Sequence, residues 1–397
     1  MYISKKYASI SSSPTLAIDS KFKQMKADGM DVVGFGAGEP DFDTPQFIKD
    51  AAIKAINEGM TKYTPASGTV ALKKAVCDKF KRHNNLEYTP DQIVISNGAK
   101  HSLVNALGAI LNPGDEVIIP APFWVSYTEM VKLRDGVPVI VQATEEENFL
   151  CSAQKIEDAI TDKTRAIIIN SPSNPTGMVY SEEELKKIAD IAVKHNIYVI
   201  SDEIYEHLIY DGKKHVSIAS FNDEIKNLTI IINGVSKTYA MTGWRIGFTA
   251  SNSEIAKAMG NVQSHETSNP NSIAQEASRA ALEGNEDELH AMVDEFSKRR
   301  LHMVERISKI PGVSCLKPEG AFYVMMNIKS LYGKECNGKV INSADDFAQC
   351  FLDEKLVAVV PGTAFYAEGY VRWSYATSLK NIDEGMNRLE QFISLLK

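Results

Sequence analysis

No apolar run in this 397-residue chain approaches the ~18 residues that a membrane-crossing helix needs. The opening MYISKKYASISSSPT carries lysines with no apolar stretch behind them, so no secretory signal is expected. Cysteine is sparse: five residues, at 77, 151, 315, 336 and 350, an odd number without a C-x-x-C pair. That excludes a disulfide framework and points to reduced thiols in a cytoplasmic protein. Basic charge is not in excess. Forty-three Lys and Arg stand against 51 Asp and Glu, a formal net charge of −8. Nucleic acid is offered no basic face, although small anions need only a few local cations. H-x-x-x-H and clustered cysteines are missing, so no metal site is expected.

Two glycine-rich stretches fail as nucleotide motifs. GFGAGE at 34–39 has Glu39 where a dinucleotide loop needs its last glycine. GVSKT at 234–238 has Ser236 where a phosphate-binding P-loop needs Gly directly before Lys. The acidic triplets at 145–147 and 182–184 read as solvated surface.

What is present is a 44% hydrophobic chain without internal repeats, long enough for one large core or two linked ones. Short β-branched runs at Ile93–Ile95, Glu116–Ile119, Ala166–Ile169, Tyr198–Ile200 and Leu228–Ile232 predict strands covered on both faces. SEEELKKIADIAVKHN predicts a helix. Ser181 caps it, Glu184 completes a capping box, and Leu185, Ile188, Ala189 and Ala192 form its apolar face. Strand, helix and strand in alternation imply an α/β fold with a mainly parallel sheet, whose ligands sit at the carboxyl ends of strands. After about residue 285 the texture changes to long charged helices, then GAFYVMMNI, VAVVPG and VRWSYA. The expected organisation is a large domain over 46–285 and a smaller α+β domain over 286–397. Residues 1–45 pack with the small domain.

Four segments that follow predicted strands carry the chemistry: NSPSNPTG at 170–177, SDEIY at 201–205, NGVSKTYAMTGWRIG at 233–247 and VRWSYAT at 371–377. A single lysine is ordinarily a solvated side chain. Lys237, in a small-residue loop after a buried strand, loses water and becomes an amine nucleophile and base. Arg245, eight residues on, is able to clamp a phosphate. Asp202 at a strand's end either caps a turn or stands beside the ring nitrogen of a pyridine cofactor, where an anion keeps the ring protonated. Asn174 and Tyr205 offer hydrogen bonds to a ring oxygen. SNGAKHSL at 96–103 opens a helix whose start, at Gly98, Ala99 and Lys100, suits an anion. Trp124 presents a flat face, or simply core packing. Arg372 is either a surface ion pair or a two-pronged grip on a carboxylate.

Together these segments resemble the fold-type I, class I aminotransferases of the aspartate aminotransferase family, in wording closest to the bacterial Iβ branch. GVSKTYAMTGWRIG fits the family's lysine signature at every constrained position. AGEPDFDTP at 37–45 and KYTPASG at 62–68 extend the match over nearly the whole chain. The resemblance implies pyridoxal 5′-phosphate bound as a Schiff base on Lys237. It makes Asp202 the ring-nitrogen partner and Asn174 and Tyr205 the ring-oxygen partners. Phosphate ligands fall on Gly98, Ala99, Lys100, Ser236 and Arg245. Tyr63 reaches a neighbouring subunit's phosphate, Trp124 stacks on the ring, and Gly38, Trp124, Asn174 and Arg372 meet the substrate near its α-carboxylate.

The activity so implied is that of a cytoplasmic homodimer with shared active sites. It moves an amino group between amino acids and 2-oxo acids, from L-aspartate to 2-oxoglutarate, with ping-pong kinetics. The distal carboxylate falls to Lys100, Ser13 and Thr15. Two positions depart from the pattern. Ser11 stands where relatives that take prephenate carry a basic residue, which argues against prephenate. Gly234 stands where another branch has a phosphate-binding serine. The alternatives are aromatic, alanine or prephenate specificity, or a carbon–sulfur lyase on the same fold. A regulator fused to a DNA-binding helix pair is disfavoured, because only about 30 residues precede the first shared motif.

Overall fold

Seven short runs, four of them mostly β-branched, form one sheet: β1 (Ile93–Ser96), β2 (Glu116–Ala121), β3 (Val137–Gln142), β4 (Thr164–Asn170), β5 (Tyr198–Asp202), β6 (Thr229–Gly234) and β7 (Gly247–Ala250). The computed structural model describes residues 2–11 and 14–397. The strand order is β1-β7-β6-β5-β4-β2-β3. Neighbours are parallel except that β7 runs against both β1 and β6. Central β5 and β6 are buried at almost every position, as expected where both faces are covered. The edge strand β3 leaves Val137 and Ile140 exposed.

The helix Glu182–His195 forms for local reasons. Ser181 Oγ accepts the Glu184 N–H at 3.2 Å, and Leu185, Ile188, Ala189 and Ala192 are buried. The expected capping box is only half made. Glu184 turns its carboxylate to the Ala153 N–H instead, tying this helix to the next one along the sheet face. Register carries the functional positions: Asn170 pairs with Asp202, and Asp202 with Ile232, so β4, β5 and β6 end together.

Past residue 286 the charged stretch is one 22-residue helix, Asp287–Ser308, rather than several. An antiparallel sheet follows, in the order β10 (Val360–Pro361), β11 (Tyr370–Ser374), β9 (Tyr323–Asn327), β8 (Ser314–Cys315). Arg372 lies in its interior, paired with Met325 on one side and Val360 on the other. The N-terminal segment joins this region. Val33–Gly34 pairs in parallel with Val357–Ala358, and Phe35 meets Trp373 at 4.6 Å between ring centroids.

Beneath the ends of β5 and β6 lies a buried ion pair. Lys79 and Glu206 are each 3% exposed and in direct contact. Glu206 also accepts from Asn233 Nδ2 at 2.8 Å and Asn84 Nδ2 at 2.9 Å. Lys79 holds the Glu206 carboxyl far below its ordinary 4.5, against the opposing effect of burial. Such a group contributes stability above its unfolded pKa, and the contribution fades as pH falls below 4.5. Lys79→Met leaves a buried charge without its partner and is expected to cost about 3–5 kcal/mol in urea unfolding at pH 7. The gap from wild type narrows below pH 4.5, where Glu206 of the unfolded chain takes up a proton.

Candidate active site

A cavity of about 420 Å³ opens at the carboxyl ends of β4, β5 and β6, a size suited to a cofactor-bound small substrate. Its floor is Asp202, the last residue of β5. Asp202 Oδ2 accepts the Tyr127 hydroxyl at 2.6 Å and Oδ1 accepts the Ile204 N–H at 3.3 Å. Burial pushes this carboxyl up to about 6, against the pull of those two donors. Asn170 steadies the neighbouring loop: its Nδ2 donates to the Asp202 carbonyl at 3.0 Å, and its Oδ1 accepts the Asn174 N–H at 2.8 Å.

Lys237 enters from the loop after β6, where its amine donates to the Gly38 carbonyl. Burial, aided by Arg245 and Arg372 and opposed by Glu39 and Asp202, lowers its pKa to about 8. A lysine so placed has a neutral, nucleophilic fraction near neutral pH. Ser236, Arg245, Ala99 and Lys100 line the same end of the cavity. Gly98 caps the helix Ala99–Ile110, whose first N–H groups lack intrahelical acceptors. Close approach dictates glycine here. At Gly98, φ is +87° and a Cβ would lie 2.4 Å from Arg245 Nη2; at Gly247 one would lie 2.3 Å from the Ala99 nitrogen. Arg245 itself takes a left-handed backbone, φ +57°, and its Nη1 donates to the Thr242 carbonyl at 2.8 Å. Gly234 is less tightly confined; a Cβ there would meet Gly247 Cα and the Ile246 carbonyl oxygen at 3.0 Å.

Arg372 reaches the cavity from β11 and is 2% exposed. Its Nη1 donates to Asn174 Oδ1 at 2.8 Å and its Nη2 to the Gly36 carbonyl at 2.9 Å. Its Nε is buried without a partner among the described residues. Tyr323 and Phe365 lie 4.4 and 4.8 Å from the guanidinium and fix its plane. Trp124 forms a wall, with Lys100 Nζ 4.9 Å from its ring. Tyr205 is buried, its hydroxyl 3.0 Å from that of Tyr323.

The structure therefore brings together Gly38, Ala99, Lys100, Trp124, Asn174, Asp202, Tyr205, Ser236, Lys237, Arg245 and Arg372, with Gly98 against Arg245. Tyr63 does not join them; it is 92% exposed and lines no part of the cavity. Ser13 lies outside the described residues, as does the side chain of Thr15 in the helix Pro14–Ala27. Ser11 donates its N–H to Glu129 at 3.1 Å. Sequence reasoning missed Tyr127 and Tyr323. Tyr127 follows Trp124 by three positions, which on a helical turn is the one available signal.

Glu203, Glu206 and His215 also place ligand atoms within 4.8 Å of one another. Their charges are answered by protein groups. Ser201 and Ser217 donate to Glu203 at 2.8 and 2.7 Å, His215 Nε2 lies 3.0 Å from it, and Lys79 contacts Glu206.

The aminotransferase class I and II family model matches residues 30–389. The aspartate aminotransferase of Bacillus subtilis (strain 168) is 50% identical over 393 residues, covering 99% of both chains. The aspartate/prephenate aminotransferase of Nitrosomonas europaea is 45% identical, over 99% of this chain and 100% of its own. Among solved structures, the aspartate aminotransferase from Rhizobium meliloti superposes with a TM-score of 0.97 at 43% identity, covering 100% of both chains. The donor set fits the group those enzymes use: a carboxylate floor, a lysine of lowered pKa and an anion-binding helix start. The chain belongs to the class I and II aminotransferases and is a fold-type I, pyridoxal 5′-phosphate-dependent transaminase.

Proposed function

We propose that this enzyme transfers the amino group of L-aspartate to 2-oxoglutarate. The observation that carries the substrate choice is a cavity among whose cations two, Arg372 in β11 and Lys100 at the helix start, are suited to the two carboxylates. The names of the Bacillus subtilis and Rhizobium meliloti relatives support it.

Pyridoxal 5′-phosphate, when bound, supplies a carbonyl that captures the substrate amine and a ring that accepts electrons. Ser236, Arg245 and the N–H groups around Gly98 and Ala99 would hold its phosphate, with Lys100 beside them. Asp202 would keep a proton on the ring nitrogen, Asn174 and Tyr205 would donate to the ring oxygen, and Trp124 would cover one face. Arg372 binds the substrate α-carboxylate with Asn174 and Gly38 beside it, giving the buried Nε an acceptor. Lys100, with Ser13 and Thr15, takes the distal carboxylate. Lys237 Nζ is the attachment amine. Released from that bond, it takes the proton from the substrate Cα and redelivers it, a task for which its lowered pKa suits it. Donor and acceptor use the same groups in turn, which makes the kinetics ping-pong.

The assembly is a cytoplasmic homodimer. Tyr63, Val70, Ile53 and Ile56 are all exposed, and Tyr63 would meet the neighbouring subunit's phosphate. Residues 46–285 form the large domain, and 286–397 with the N-terminal 45 form the small one. No helix among the described residues is long and apolar enough to cross a membrane.

Lys237→Ala is expected to lose at least ~10⁴-fold in transamination, because attachment and proton transfer vanish together. Borohydride reduction of the native enzyme followed by peptide mapping should place the pyridoxyl label on Lys237; a label on Lys100 would overturn the assignment. Lys100→Ala is expected to lower kcat/KM for aspartate by ~100-fold, the scale of one charged hydrogen-bonded partner, while leaving alanine almost untouched. An equal loss for both substrates, with weaker cofactor binding, would mean that Lys100 serves the phosphate alone.

A further inference from the structure

Asp202 is held by a side chain that no motif marked. The Tyr127 hydroxyl donates to Oδ2 at 2.6 Å, and the two residues are 1% and 4% exposed. Tyr127 has little freedom to place that hydroxyl elsewhere. Its ring meets Trp124 edge-on, 5.5 Å between centroids at 87°, and packs against Phe123. It sits at the start of the short helix Ser126–Leu133, so Trp124 and Tyr127 are oriented by the same turn. The other carboxylate oxygen is fixed by the Ile204 N–H.

We propose that Tyr127 is a positioning residue, which keeps Asp202 ionised and aimed into the cavity. This rests on the reading of Asp202 as partner of the cofactor's ring nitrogen. The groups that face Asp202 divide cleanly. Burial and the neighbouring Glu203 favour the neutral acid, whereas Tyr127, the Ile204 N–H and Lys237 favour the carboxylate. Tyr205 lies close enough to feel the same charge. Of the groups that favour the anion, Ile204 offers a longer, neutral backbone bond, and Lys237 is the attachment amine. Tyr127 makes a short O–H bond to a charged acceptor, the stronger type. It also remains a donor throughout, because burial and the adjacent carboxylate push its own pKa well above 10. A neutral Asp202 would be unable to hold a proton on a pyridine nitrogen. Without the hydroxyl, Asp202 drifts toward that state near neutral pH.

The test compares full-length wild type with Tyr127→Phe, which removes one oxygen and keeps the ring. Melting curves verify that the variant folds. Carbon-13 NMR of carboxyl-labelled aspartate in the cofactor-free chain, with the Asp202→Asn spectrum assigning the signal, follows the titration directly. The Asp202 midpoint is expected to rise by about one pH unit or more. Binding is then measured at pH 7 with pyridoxal 5′-phosphate and with its analogue bearing carbon in place of the ring nitrogen. The variant is expected to bind the natural cofactor about tenfold more weakly and the analogue as well as wild type does. Site-specific 3-fluorotyrosine at 127, which keeps the hydroxyl, should restore both readouts. An unchanged titration overturns the proposal at Tyr127 itself. A shifted titration with equal losses for both cofactors overturns it through the ring-nitrogen reading of Asp202.

Discussion

Side chains at the carboxyl ends of β4, β5 and β6 are buried around the cavity, and the ionisable groups among them must be answered by the protein. Asp202 carries the greatest demand. A buried carboxylate reverts to the neutral acid unless donors surround it, and here two donors and a nearby lysine oppose burial. The same desolvation acts in the opposite sense on Lys237, lowering its pKa to about 8. One physical effect thus disfavours the charged form of both groups. Arg372 adds a guanidinium whose Nε is buried without a partner among the described residues. An unmade bond of this kind costs about 1–3 kcal/mol.

Backbone packing brings these groups into range. Gly98 and Gly247 allow the start of the helix Ala99–Ile110 to press against β7 and Arg245, where any larger side chain would collide with backbone or guanidinium. Arg245 accepts a left-handed backbone at the same place. Gly234, a departure from the serine of another branch, follows from the tight pairing of β6 and β7 ends. Strand pairing leaves little room for a larger side chain at this position.

A second layer of buried charge lies just below. The pairs Lys79–Glu206 and His215–Glu203 flank the SDEIYEH segment and hold it from outside the cavity. Burial lowers the pKa of His215, but the adjacent Glu203 outweighs it and leaves the imidazole easier to protonate than usual. The segment that carries Asp202 and Tyr205 is therefore fixed on the cavity side by Tyr127 and Tyr323, and on the far side by ion pairs.

Much of this was legible in the chain because it is written locally. The β-branched runs, the Ser181 cap and the apolar face of the helix 182–195 depend on residues a few positions apart, and each appears in the structure. The lysine segment and Asp202 were legible for a similar reason, since one directly follows a strand and the other closes one. Contacts between distant segments were not. Tyr127 and Asp202 are 75 residues apart, and Arg372 and Asn174 are 198 apart. No periodicity records such distances, so Tyr127 read as one more aromatic in APFWVSY. Glu184 fitted the capping box in sequence, yet its carboxylate turned to Ala153, a competing donor supplied by an adjacent helix. Tyr63, expected at a neighbouring subunit's phosphate, is exposed on its own chain. Local sequence determined which elements form and which residue types stand at strand ends. Tertiary packing decided which of those side chains lose water together, and with it their protonation, because desolvation depends on everything that surrounds a group.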